Sequence, residues 1–218
     1  MNCLLLASTA AEIAPFLEHY RNTEKLAHID FKLDVLITGV GLTAATYALA
    51  KQLSINKPQL AIQAGVAGCF NKEIALGTVL SVQKDVVADQ LVLEKNNYKT
   101  LFDMKLVNAN EYPYNKGWLV NPGKNLLKRT KLKSVSAVTV NEITTGKKKI
   151  DFYKDEFNPV IESMEGAALH YVCLMENIPF LQLRSTCNYI GERDKNKWKM
   201  KEAVSNLNKE LIRLLENL

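Results

Sequence analysis

The 218-residue chain lacks paired cysteines and long apolar runs, and we expect no leader segment. Cys3, Cys69, Cys173 and Cys187 stand singly with no C-x-x-C pair, which predicts buried free thiols in a reducing compartment. No window approaches the roughly 18 consecutive apolar residues that a membrane helix needs, so we expect no membrane span and no membrane partner. The apolar start, residues 1–10, has no basic leading segment and is too short for a signal peptide. We therefore expect a cytoplasmic protein.

A concentrated basic surface is also missing. The 28 lysines and arginines exceed the 23 aspartates and glutamates only slightly. The excess is scattered after residue 95, whereas nucleic-acid-binding surfaces show a basic stripe with interleaved aromatics or a known reading motif. Scattered lysines fit solvated loops and helix faces. We expect no nucleic-acid partner.

Histidines are scarce, with three in the chain, and motifs for metals or cofactors are incomplete. His170 and Cys173 lie one helical turn apart, but two ligands do not make a metal site, and a core histidine beside a core thiol is the better interpretation. Residues 39–44 read G-V-G-L-T-A, which fits the local dinucleotide pattern. The next strand, however, ends I-Q-A-G at residues 62–65, without the carboxylate that would hold a ribose. We expect no metal and no cofactor, and a tight strand-to-helix turn at these glycines.

Short apolar runs alternate with helical segments, the pattern of a mostly parallel sheet covered by helices. The length suits one core, so we expect residues 1–218 to form a single α/β domain. The stretch 89–118 has no clear period and is expected to make substrate or subunit contacts. The predicted strands are 3–7, 33–38, 59–64, 78–87, 134–140, 159–163 and 180–187. The predicted helices are 12–20, 43–53, 165–177 and one that starts at Trp198. A turn of small residues is predicted at 65–68.

Two motifs separated by one helix and one strand carry a family resemblance. Residues 162–168 read E-S-M-E-G-A-A, and residues 184–188 read R-S-T-C-N. They resemble the M-E-[AG]-A-A and R-x-x-[SC]-[DN] elements of the nucleoside phosphorylase/nucleosidase superfamily, which includes methylthioadenosine/adenosylhomocysteine nucleosidases and futalosine hydrolases. Segments 11–13, 38–41 and 64–68 fall where that family has its first-helix glutamate and two glycine turns. The resemblance spans the chain and implies a three-layer α/β fold with a mixed central sheet flanked by helices.

The resemblance implies roles for three neighbours of a ribose. Cleavage of a ribosyl-purine bond gives the sugar cationic character, so nearby negative charge stabilises the transition state. Glu165 is expected to hold the 2' and 3' hydroxyls, Glu12 to orient and deprotonate water, and Met164 to form an apolar floor beneath the sugar. Without the surrounding motifs, each glutamate would be interpreted as a first-turn helix carboxylate worth about 0.3–1 kcal/mol.

The choice between water and phosphate rests on missing cations. Phosphorylases resembling this chain use arginines and a serine near the first and third strands, whereas here Arg21 is the only arginine before residue 129. The matching segment, residues 63–66, reads Q-A-G-V and offers no cation or hydroxyl. Water is therefore the expected attacking group. Further substrate contacts are expected from Val66, Ala67, Gly68, Val140 and Asn141.

Asn188 stands where adenine-cleaving members of the family carry aspartate. An asparagine can donate to O6 and accept from the N7–H that develops as the base leaves, so hypoxanthine is the expected leaving base. A hydrolytic, 6-oxopurine-directed member most resembles the futalosine hydrolases of menaquinone biosynthesis, whose substrate has a benzoate-bearing 5' tail. Candidates for holding the tail are the aromatic residues at 112–118, Tyr189, Arg193, Lys197 and Trp198.

Three alternatives stay open at this stage. An adenine-directed methylthioadenosine/adenosylhomocysteine nucleosidase would carry aspartate at the position of Asn188. A phosphorylase would need a phosphate clamp, and a nucleoside-binding protein without turnover would not need both Glu12 and Glu165.

The charged segment 193–199 is equally well interpreted as a solvated loop. The resemblance also implies a purine nucleoside as the small-molecule ligand and a homodimer or larger homo-oligomer.

Overall fold

Nine strands join into one mixed sheet in the computed structural model, which describes residues 1–22 and 32–217. A separate hairpin is formed by β5 (Leu91–Glu94) and β6 (Asn97–Thr100). The sheet strands are β1 (Asn2–Ala7), β2 (Lys32–Ile37), β3 (Leu60–Cys69), β4 (Val79–Asp85), β7 (Tyr114–Asn115), β8 (Trp118–Val120), β9 (Ser134–Thr139), β10 (Ile161–Ser163) and β11 (Phe180–Tyr189). The predicted mixed α/β sheet is confirmed.

Five of these strands close a hydrogen-bonded circuit. The first half of β3 pairs with β1, while its end pairs with β10 and its whole length with β11. Strand β11 also pairs with β4, β4 with β9, and β9 with β10, which returns to β3. The ends of β3, β10 and β11 therefore lie side by side.

The predicted turn at residues 65–68 is wrong, because β3 runs on to Cys69. The glycines there provide room within the strand. A Cβ on Gly65 would lie 2.3 Å from Arg184 Nη1 and 2.9 Å from Glu12 Oε1. Glycine inside a strand often marks such a close approach, and here two charged side chains reach the backbone.

Helices cover both faces of the sheet. Buried Phe16 and Leu211 belong to a cluster beneath α1 and α6, and Leu49 and Leu169 belong to a second cluster beneath α2 and α5. Full burial of one such side chain stabilises the fold by about 1.5–3 kcal/mol. The helices of the described residues are α1 (Ala10–Asn22), α2 (Leu42–Ile55), α3 (Lys124–Arg129), α4 (Lys147–Phe157), α5 (Gly166–Met175) and α6 (Met200–Leu215).

His170 is a core residue, as predicted. It is fully buried, its Nδ1 lies 2.9 Å from the Leu119 carbonyl oxygen, and its ring packs edge-on against Phe180. The four cysteines are buried and free, also as predicted. No helix in ranges 1–22 and 32–217 is both long and apolar enough to cross a membrane.

Candidate active site

A cavity of about 380 Å³ lies where β3, β10 and β11 end, with the start of α1 on one side and the segment after β11 on the other. Most of the predicted site residues line it: Glu12, Val66, Ala67, Gly68, Met164, Glu165 and Asn188. Val140 and Asn141 lie outside the lining. Val140 is buried and donates its N–H to the Ser163 carbonyl, and Asn141 is exposed and donates its N–H to Asp89. Their contact with a substrate stays a prediction.

Glu12 lies in the first turn of α1 and is held at both carboxylate oxygens. Its Oε2 accepts hydrogen bonds from the Thr9 N–H at 3.0 Å and the Thr9 hydroxyl at 3.2 Å. Its Oε1 accepts from the Val66 N–H at 3.1 Å. Thr9 immediately precedes α1, and Val66 belongs to β3. Because donors from two separate parts of the fold hold both oxygens, the carboxylate has a fixed orientation at the edge of the cavity.

Glu165 follows β10 and immediately precedes α5, at the strand-to-helix junction that the sequence predicts. The carboxylate is about 5% exposed, and its Oε1 accepts from the Gly41 N–H at 2.9 Å. Gly39 and Gly41 have φ values of 81° and 95°, which glycine adopts readily. The predicted glycine turn therefore also presents an amide donor to Glu165.

Arg184 is the partner that the sequence interpretation overlooked. Its Nη1 lies 3.6 Å from Glu165 Oε2, and its Nη2 donates to Gln63 Oε1 at 2.9 Å. The guanidinium is 1% exposed, so Glu165 and Arg184 form a buried ion pair. The signal was present, because an arginine within an apolar strand is seldom buried without a partner. Arg184 and Gly41 together fix the Glu165 carboxylate.

Asn188 lies near the end of β11, just after a bulge in its pairing with β3. Its Nδ2 donates to the Tyr189 carbonyl at 3.1 Å, and its Oδ1 accepts from the Cys187 thiol at 3.1 Å. Burial raises the pKa of Cys187 to about 11, so the thiol remains a donor at neutral pH. These two hydrogen bonds therefore fix the positions of the amide oxygen and the amide nitrogen at the cavity wall.

Two of the candidates for the 5' tail, Arg193 and Trp198, line the cavity. The Arg193 guanidinium lies 5.5 Å from the centre of the Trp198 ring, and the indole N–H donates to the Glu192 carbonyl at 3.2 Å. Other candidates lie elsewhere. The Tyr189 hydroxyl donates to the Ile74 carbonyl, Lys197 pairs with Glu192, and residues 112–115 line a different cavity.

Glu162 also lines the cavity, although the sequence interpretation gave it no role. Its side chain is about 5% exposed, and its Oε1 accepts from the Thr144 N–H at 3.1 Å. Burial raises the pKa of this carboxyl. No set of three or more metal-ligating side chains lies together in the described parts of the chain.

Comparison with known proteins agrees with this architecture. The family model described as the phosphorylase superfamily matches residues 5–217. A futalosine hydrolase from Thermus thermophilus is 30% identical, over 97% of this chain and 94% of that protein. A Helicobacter pylori 5'-methylthioadenosine/S-adenosylhomocysteine nucleosidase, solved with butyl-thio-DADMe-Immucillin-A, has a TM-score of 0.79 at 18% identity, covering 100% and 99% of the two chains. The native futalosine hydrolase of Helicobacter pylori has a TM-score of 0.77 at 17% identity, covering 100% and 98%.

The chain belongs to the phosphorylase superfamily. Within it, the protein is an N-glycosyl hydrolase of the methylthioadenosine/adenosylhomocysteine nucleosidase and futalosine hydrolase group. The family and the reaction class that the motifs at 162–168 and 184–188 predict are confirmed.

Proposed function

We propose that this enzyme hydrolyses 6-oxopurine nucleosides and that futalosine is its substrate, giving hypoxanthine and dehypoxanthine futalosine. The observation that carries the proposal is the amide of Asn188 on the cavity wall, where adenine-cleaving members of the family carry a carboxylate. The similarity to the Thermus thermophilus futalosine hydrolase over nearly the full length supports it.

In this proposal the ribose lies between Glu12 and Glu165. Glu165, fixed by Gly41 and Arg184, accepts hydrogen bonds from the 2' and 3' hydroxyls and places negative charge beside the forming cation. Glu12 accepts a proton from the attacking water, and its fixed orientation selects one face of the sugar. Met164 contributes the apolar surface beneath the ribose.

Three features of the cavity favour water over phosphate. The Val66 N–H, a backbone donor that an anion would need, is already bonded to Glu12. Gln63 bonds Arg184 and does not line the cavity, so it offers no clamp. Glu12, Glu162 and Glu165 all line the same space and would repel a phosphate dianion.

The base and the benzoate-bearing tail lie at opposite ends of the substrate, and each is assigned to its own part of the cavity. Asn188 donates from Nδ2 to O6 and accepts at Oδ1 from N7–H, so the leaving hypoxanthine is stabilised as its charge develops. The benzoate-bearing tail is assigned to the segment after β11. Arg193 is the cationic side chain among the described lining residues, and Trp198, Met200 and Val204 offer apolar surface.

A substrate panel tests the proposal. The purified protein is incubated with futalosine, inosine and methylthioadenosine, with and without phosphate, and the released bases are separated by chromatography. We expect hypoxanthine from futalosine at the highest rate, with no dependence on phosphate and no ribosyl phosphate product. Preferential release of adenine from methylthioadenosine would support the adenine-directed alternative, phosphate-dependent release would support a phosphorylase, and no release from any substrate would leave a binding protein.

A further inference from the structure

The start of α5 is capped by a side chain from another strand. Glu165 immediately precedes this helix, at the position from which a side chain usually accepts a hydrogen bond from an N–H of the first turn. The Glu165 carboxylate makes no such bond to α5 and accepts from the Gly41 N–H. The Ala167 N–H of the first turn donates to the Thr139 hydroxyl, at the end of β9, at 2.8 Å. Thr139 thus supplies the acceptor that Glu165 does not.

A buried aspartate fixes the direction of the Thr139 hydroxyl. Asp85 ends β4 and is fully buried, and its Oδ1 accepts from the Thr139 hydroxyl at 2.9 Å and from the Val86 N–H at 2.8 Å. An ionised carboxylate accepts hydrogen bonds and donates none. The hydroxyl therefore donates its single hydrogen to Asp85, and its lone pairs are left for the Ala167 N–H. A chain of hydrogen bonds thus leads from β4 through β9 to the start of α5.

Asp85 also packs directly against the first residue of α5. A Cβ at Gly166 would lie 2.2 Å from Asp85 Oδ2 and 2.2 Å from Gln182 Nε2, so only glycine leaves room for these two buried side chains. Negative charge is favourable at a helix N-terminus, and this carboxylate lies beside the first turn. The contact leaves little freedom to the helix start, and therefore to Glu165, which adjoins it.

The buried carboxylate is unfavourable for stability. Burial raises the pKa of Asp85 to about 6 from its ordinary value of 3.8. The group is still ionised at neutral pH, but its ionisation is harder in the folded protein than in the unfolded chain. Perturbed groups of this kind cluster at functional sites. Neither Asp85 nor Thr139 lines the cavity, so any effect on the reaction passes through another residue.

We propose that Thr139, oriented by Asp85, is a positioning residue that keeps the Glu165 carboxylate available to the ribose. By satisfying the Ala167 N–H, it removes the hydrogen bond that would draw Glu165 back onto its own helix. Without the Thr139 hydroxyl, the Ala167 N–H competes with Gly41 for the carboxylate. The inference rests on the proposed role of Glu165 at the 2' and 3' hydroxyls and adds the residues on which that role depends.

Thr139→Val and Thr139→Ser separate the hydroxyl from the shape of the side chain. Valine keeps the shape without the hydroxyl, and serine keeps the hydroxyl. If Glu165 contacts the 2' hydroxyl, the enzyme prefers inosine to 2'-deoxyinosine, and this preference reports on the carboxylate. We expect the ratio of kcat/KM for inosine to that for 2'-deoxyinosine to fall about 10- to 100-fold in Thr139→Val, the effect of a hydrogen bond to a charged group. The ratio should stay close to wild type in Thr139→Ser.

Thr130→Val is the matched control. Thr130 is also fully buried, donates its hydroxyl to the Leu127 carbonyl and accepts from the Leu132 N–H at 3.1 Å, but it does not line the cavity. Both valine variants should lose stability, and only Thr139→Val should change the ratio.

The outcomes separate the positioning role from the proposed function. Equal ratios in Thr139→Val and wild type would overturn the positioning role alone. A wild-type protein without preference for inosine over 2'-deoxyinosine would overturn the ribose role of Glu165. Wild-type protein that releases hypoxanthine from neither futalosine nor inosine would overturn the proposed function.

The contribution of Asp85 is tested in the same assay. Asp85→Asn keeps an oxygen that can accept from the Thr139 hydroxyl, whereas Asp85→Ala does not. The ratio should stay close to wild type in the first variant and fall in the second. Equal ratios in Asp85→Ala and wild type would show that Asp85 does not orient Thr139 for this task.

Crystal structures of the variants give a second measurement that needs no substrate. In Thr139→Val the Glu165 carboxylate should leave the Gly41 N–H and accept from the Ala167 N–H, and in Thr139→Ser it should keep its wild-type position. If Thr139→Val does not fold, Thr139→Ala removes the same hydroxyl without placing an apolar group beside Asp85. A carboxylate that stays on Gly41 when the hydroxyl is absent would contradict the proposal.

Discussion

At the scale of single residues, the three glutamates that line the cavity differ in burial and in hydrogen-bond partners. Glu12 is half-buried and accepts three hydrogen bonds, Glu165 is buried beside Arg184, and Glu162 is buried and accepts from the Thr144 N–H. Burial and partners thus distinguish three carboxylates on one cavity wall, and the roles proposed above for Glu12 and Glu165 use that difference.

The role of Glu12 can be tested by Glu12→Gln. The amide keeps the shape and one acceptor but is a much weaker base, so kcat should fall about 10²- to 10⁴-fold with KM little changed. Steady-state kinetics of hypoxanthine release measure the effect. Glu18→Gln, an exposed change on the same helix, should behave as wild type. A loss of less than threefold in Glu12→Gln would exclude Glu12 as the base.

At the scale of secondary-structure elements, α6 fixes the position of α1. The buried Asn208 side chain accepts from the Phe16 N–H at 2.9 Å and donates to the Glu12 carbonyl at 2.9 Å. These two backbone groups are the pair that bond each other in a regular helix. They lie beside Pro15, which has no N–H and disturbs the α1 ladder. Asn208 therefore supports the turn that carries Glu12.

Removing this bridge should affect both stability and catalysis. Asn208→Ala removes a hydrogen-bond partner from the Phe16 N–H and another from the Glu12 carbonyl. The free energy of unfolding should therefore fall by about 1–3 kcal/mol. Because Glu12 loses its support, kcat should fall more than KM rises. Asn206→Ala is the control, since the Asn206 side chain lies on the same helix and donates its hydrogen bond to the Gly77 carbonyl. Equal kcat in the two variants would show that Asn208 is purely structural.

The elements differ in how far the sequence could predict them. The unit β10–α5–β11 was predictable because strong apolar runs and Pro179 separate its parts, and Glu165 lies at the predicted junction. The end of β3 was not, because small residues at 65–68 indicate a turn unless the approach of Arg184 is known. The position of Glu162 on the cavity wall depends on strand register, which no local pattern gives.

At the scale of the whole molecule, buried titratable groups tie stability to pH. Burial lowers the pKa of His170 to about 4 from its ordinary value of 6.5. The folded state thus favours the neutral ring, and this contribution is fully present above pH 6.5 and is lost as the pH falls toward 4. The difference between the two pKa values corresponds to about 3 kcal/mol.

Urea unfolding of the wild type and of His170→Gln between pH 7 and pH 4 tests this linkage. The difference in unfolding free energy between the two proteins should shrink by about 3 kcal/mol across that range. Asp85 opposes the trend in both proteins, because burial raises its pKa to about 6 and its contribution is lost as the pH rises through 6. Taking the difference removes that effect. A constant difference would rule out His170 as the titrating group.

The closed circuit of five strands sets an order for assembly of the enzyme. Strand β11 pairs with β3 across more than a hundred residues of sequence, so this contact forms only after most of the chain is available. Pairings of such long range make folding slow. Until β11 docks, Arg184 is not beside Glu165 and Asn188 is not beside Gly68. The candidate site is therefore complete only once β11 has docked, and a partly synthesised chain that ends before β11 lacks both Arg184 and Asn188.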